Sequence, residues 1–173
     1  MVDISPGAAR SDSTLLGVYL NDHAAGAIGG IELARRIARS HCRSANAETL
    51  ARIAADIADD RSALLAVMAK LGIPVRRYKG YVAWAAEKVS RLKFNGRLFS
   101  RSPLSGLLEL EALLLGVRGK AALWRTLWAL TDQDSRLDGE QLETLSGRAR
   151  QQIDTLERLR MHTALEAFSA IRT

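Results

Sequence analysis

An all-α fold, an antiparallel bundle of about five helices in one domain, is what this sequence predicts, and three features predict it. Alanine and leucine dominate while aromatics make up only 5% of the chain, a balance that favours helix over strand. Only three prolines are present (Pro6, Pro74 and Pro103), which leaves long stretches where nothing interrupts a helix. Apolar residues recur in three- and four-residue steps, the period of one helix face. At 173 residues a single domain buries roughly 70% of its extended-chain surface, enough for a core without staples.

Residues 1–11 are short and rich in small side chains, and read as a disordered tail before a bundle domain over 12–173. The first helix is expected from an N-cap at Ser11 or Ser13 to about His41, with Leu16, Leu20, Ala27, Ile31, Ala34 and Ala38 inward. Its segment Ala24 to Gly30 is small-rich. Each glycine inside a helix costs about 1 kcal/mol relative to alanine, so a neighbouring helix is expected to approach closely there. After a turn at residues 43–46, with Asn46 as candidate N-cap, the second helix runs to about Leu71. Its core stripe is Leu50, Ala54, Ile57, Leu64, Met68 and Leu71. Gly72 stops it and Pro74 follows.

A third helix is expected over about 75–94, with Tyr78, Val82, Ala85, Val89 and Leu92 inward. Ser102-Pro103, an N-cap and a proline at the first helical position, opens the fourth, about 103–131. That helix carries two apolar faces. Leu110, Leu113, Leu114, Val117, Ala121, Trp124 and Trp128 form one; Leu108, Ala112, Leu115, Leu123 and Leu130 form the other. A helix of this kind is either the centre of the bundle or a dimer surface. The fifth, about 139–171, has a nearly heptad seam of Leu142, Leu145, Ala149, Gln152, Leu156, Leu159 and Thr163, and a length on the order of 50 Å.

Net charge is +6, and its distribution is local. The segment 76–101 holds eight basic residues (Arg76, Arg77, Lys79, Lys88, Arg91, Lys93, Arg97 and Arg101) against one acidic residue, Glu87. That is a balance of +7, leaving −1 for the rest of the chain. With Tyr78, Tyr81 and Trp84 interspersed, it is a candidate surface for nucleic acid or another polyanion, or simply a solvated basic face. Cys42 is the only cysteine, so no intramolecular disulfide and no CxxC motif can form. The N-terminus lacks a signal-peptide pattern, and no uncharged apolar run reaches about 18 residues. A cytoplasmic protein without a membrane span is the expectation.

Three stretches carry a resemblance: YLNDHAAGAIGGIELARRIA in the first helix, ADIADDRSALLAVMAKLG in the second and LLELEALLLGVRGKAALWRTL in the fourth. Together they resemble a family of bacterial helical proteins of uncharacterised activity, similar in turn to ferritin-like bundles, over residues 15–165. The ferritin-like comparison implies a di-iron centre built from glutamates and two Glu-x-x-His pairs. This chain has no Glu-x-x-His. The residues three before its histidines are Leu20, Ala38 and Leu159. The nearest analogue, Asp56-x-x-Asp59, falls near the polar side of the second helix. No metal and no cofactor is therefore expected.

The remaining candidates are polar residues near apolar faces. His23 shares the inner face of the first helix, either as a buried, hydrogen-bonded histidine or as an acid–base group or ligand. Arg61 lies on the apolar face of the second helix and needs a carboxylate, Asp60 or Glu111, or a route to water. Glu111, Arg118 and Arg125 form one stripe of the fourth helix at seven-residue spacing, with Glu109 and Lys120 opposite. Both stripes read as seams that select helix partners. Paired carboxylates such as Asp59-Asp60 read as solvated. No nucleophile elbow, P-loop or dinucleotide fingerprint occurs. The expected function is a non-catalytic interaction or scaffold protein that self-associates through residues 103–131. A ferritin-like metal-handling or oxidoreductase protein with a degenerate site, and a polyanion-binding accessory protein using 76–101, are the alternatives.

Overall fold

The computed structural model describes residues 6–76 and 103–169, and these form four helices with no strand among them. They are α1 (Pro6–Ser40), α2 (Ala47–Lys70), α3 (Pro103–Trp128) and α4 (Gly139–Ser169). The expected helix over 75–94 falls almost wholly outside the described residues; Val75 and Arg76, which are described, are not helical. α1 starts at Pro6, ahead of the expected caps Ser11 and Ser13 and inside the stretch read as a tail. Proline suits a first helical position because its missing N–H would have no helical partner there.

Chain-local chemistry sets most boundaries. α2 ends in a Schellman motif: Gly72, at φ 68°, donates its N–H to Ala69 O (3.0 Å), and Ile73 donates to Met68 O (2.9 Å). Asn46 holds the cap position of α2 but makes no side-chain capping bond. Instead its own N–H donates to Ser44 Oγ at 3.3 Å, inside the turn. At the start of α4, Asp138 Oδ1 accepts from the N–H of Gln141 (3.0 Å), an N-cap contributing about 1 kcal/mol.

α1 packs on α2 and on α3, and α3 packs on α4. Two buried clusters define the directions. One joins Leu20 and Ala24 of α1 to Leu64–Met68 of α2 and its C-cap Leu71, Ala121–Leu127 of α3 and Leu142–Ala149 of α4. The other joins Ala34 and Ile37 to Leu50–Ile57, Leu110–Val117 and Leu156. α1 and α4 therefore run one way and α2 and α3 the other. Every packed pair is antiparallel, while α2 and α3 are parallel. The chain leaves α2 at one end of the bundle and re-enters α3 at the opposite end.

The two-faced fourth helix of the sequence reading is α3, and its faces do not share one fate. Leu110, Leu113, Leu114, Val117, Ala121 and Trp124 are buried, and so is Leu123 from the supposed second face. Leu108 and Leu115 are exposed, Leu115 at 71%. Trp128, expected inward, is 54% exposed. It is the last residue of α3, beyond the layer where Leu127 and Leu137 close the core.

Candidate functional site

A polar layer divides the core. On α2, Asp60 lies between Ile57 of one apolar cluster and Leu64 of the other; on α3, Lys120 lies between Val117 and Ala121; on α4, Gln152 lies between Ala149 and Leu156. Asp60 is 1% exposed. Lys120 donates from Nζ to Asp60 Oδ2 and to Gln152 Oε1, and Gln152 Nε2 donates to Asp60 Oδ2 at 3.5 Å. Arg148 of α4 pairs with the other oxygen, Oδ1. One carboxylate thus holds two cations from two helices.

Burial pushes the Lys120 amine below its ordinary value, since a charged ammonium loses hydration there. Asp60 opposes that shift by attraction and by its hydrogen bond, Arg148 adds to it, and Asp56 opposes it more weakly. Three buried nitrogens nearby in sequence, Arg61 Nε, Trp124 Nε1 and Arg148 Nε, have no hydrogen-bond partner among the described residues. Each such group costs about 1–3 kcal/mol. The layer works as a latch. It ties α2 to α4, which Lys70 also links by donating to Gln141 (3.4 Å), while Arg136 Nη1, from the loop before α4, donates to Leu71 O just after α2 (2.9 Å).

The singled-out residues sit elsewhere. His23 is partly buried, its ring edge-on to Tyr19 with centroids 4.7 Å apart, and burial lowers its pKa against the raising effect of Asp22. Arg61 pairs with neither expected carboxylate, because Asp60 is taken by Lys120 and Arg148, and Glu111 faces Arg160 at 3.6 Å. Glu111 and Arg118 lie at the outer edge of the α3–α4 seam, not in the polar core. With Leu114, Leu115, Glu157 and Arg160 they line a shallow open groove. Glu109, also given a seam role, bridges to Arg36 of α1 at 3.2 Å. Of the anion-binding candidates, Arg76 is described, and its N–H donates to Asn21 Oδ1 at 2.7 Å. Arg77, Lys79, Lys88, Arg91, Lys93, Arg97 and Arg101 lie outside the described residues.

Asp60, expected from the sequence to be solvated, is instead buried, and Lys120, Arg148 and Asn21 are core groups that the sequence reading did not single out as such. Asp60 and Arg61 flank the same apolar stripe, and periodicity alone cannot say which one turns inward. Asn21 is 3% exposed because the non-helical segment after α2 covers it. Its Nδ2 donates to Gly17 O (2.8 Å) and Pro74 O (3.1 Å).

A second feature is the outward face of the α3–α4 pair. Leu104, Leu108 and Leu115 of α3 and Met161, Leu165 and Phe168 of α4 are large apolar residues exposed on it. Gly106 near Thr163 and Glu111 near Arg160 set the register, so Leu108 lies level with Met161 and Leu104 with Leu165. Among the described residues no group of His, Cys, Asp and Glu converges to hold a metal ion, and no helix is long and apolar enough to cross a membrane. Compared with known protein families, curated proteins and solved structures, the chain gives no match.

Proposed function

We propose that this protein is a non-catalytic interaction or scaffold protein that self-associates through the outward face of α3. The observation that carries this reading is the exposed apolar surface of Leu104, Leu108, Leu115, Met161, Leu165 and Phe168. Exposed apolar residues gathered on one face, with charges at their edge, mark interaction surfaces. The polar layer fits the same reading. It is enclosed between two apolar clusters, with Asp60 buried and its cations already paired, so it offers register and stability more readily than chemistry. Light scattering of the purified chain over a concentration series tests it. A mass of two or more chains is expected, and a monomer at every concentration would refute it.

A ferritin-like ancestry is the second reading, favoured by chain direction. Parallel α2 and α3, joined from one end of the bundle to the other, follow the single-crossover pattern of ferritin-like bundles. At mid-bundle, where such proteins place metal between carboxylates, this chain places Lys120 and Arg148 against Asp60. Cations supplied by the protein would take over the charge that metal balances, leaving a degenerate site. Stoichiometric metal in untagged protein would overturn that substitution.

A further inference from the structure

We infer that the partner on this face is a second copy of the chain, docked antiparallel along α3 about a two-fold axis through Leu115. This deepens the self-association reading and rests on it. The outward stripe of α3 advances in alternating four- and three-residue steps from Leu104 through Leu115 to Arg125, the period of a coiled-coil seam. Its charges are arranged about Leu115. Glu111 lies four residues before it, and Arg118 three residues after.

An antiparallel copy centred there sets Leu115 against its own equivalent and Glu111 against Arg118 of the second copy, twice over by symmetry. It also sets Leu108 against the small Ala122, and Leu104 against the aliphatic stem of Arg125. A parallel pairing in the same register would instead oppose Glu111 to Glu111 and Arg118 to Arg118, which like-charge repulsion penalises.

The single chain is arranged for this. Leu115 is 71% exposed, and Gly116 and Gly119 beside it have open space around them. Arg118 is exposed and makes no ion pair among the described residues, although it lies close enough to Glu157 to lower that carboxyl's pKa slightly. Arg160, 3.6 Å from Glu111, helps hold that carboxylate at the groove. Met161 and Leu165 extend the apolar surface beside Leu108 and Leu104.

The test is charge reversal read by dimer dissociation in light scattering and sedimentation. Glu111→Arg and Arg118→Glu should each weaken the dimer about a hundredfold, and the double variant should return to within about threefold of the parent. Leu115→Cys in a Cys42→Ser background should cross-link copy to copy with a short bis-maleimide. This variant also keeps the test alive if a charge-reversed chain fails to fold. A dimer indifferent to both reversals, a double variant no better than the singles, or an absent Leu115→Cys cross-link would overturn the two-fold arrangement while leaving self-association standing. A parent chain that stays monomeric at every concentration would remove both.

Discussion

Asp60→Asn should be among the most damaging single changes in this protein. The substitution keeps the shape and removes the charge that holds Lys120 and Arg148. Lys120 is 15% exposed, so its ammonium cannot be rehydrated without moving α3. Arg148, at 32%, can swing outward along its stem. Breaking one partner out of a buried ion pair costs about 3–5 kcal/mol. With a urea dependence of about 2 kcal/mol/M, that shifts the unfolding midpoint by roughly 2 M. Replacing the layer together (Asp60→Leu with Lys120→Met and Gln152→Met) should recover most of the loss, because no buried charge or amide is then left over except a mobile Arg148. Equilibrium urea unfolding followed by circular dichroism measures both. A single variant costing less than about 1 kcal/mol, or a triple variant as unstable as the single one, would refute the claim that the layer is a closed ionic latch.

Asn21→Ala should cost about 2 kcal/mol, measured as a lowered thermal midpoint, since it removes the three hydrogen bonds by which this buried side chain ties α1 to the backbone of Pro74 and Arg76 and to Gly17. His23 should give the stability curve an acid slope. Its folded pKa lies below the ordinary 6.5, so as pH falls through that value the unfolded chain takes up a proton that the folded one resists. Stability is thus full above about pH 6.5 and declines below it until the folded pKa is passed; His23→Gln should flatten that part of the profile.

The helices and several of their ends were legible in the sequence because they depend on neighbours along the chain. Gly72 must adopt a positive φ to end α2, Pro103 suits a first turn, and the seam from Leu142 to Leu156 follows from a period of three and four. α1 departed from its expected start because Ser11, Ser13 and the residue before Pro6 all allow a beginning, and local chemistry does not rank them.

Which polar residue turns inward was decided only by tertiary structure. Asp60 and Arg61 border one apolar stripe, and Asp60 went in because Lys120 and Arg148 arrive from other helices to neutralise it. Lys120 read as a seam between helices for the same reason, and Asn21 is buried by the chain that follows α2. On α3 the sequence alone determined two apolar faces, whereas the packing of α1 and α4 decided which of them is covered. A side chain's period along a helix is set by the backbone, but its burial is set by what other elements bring against it.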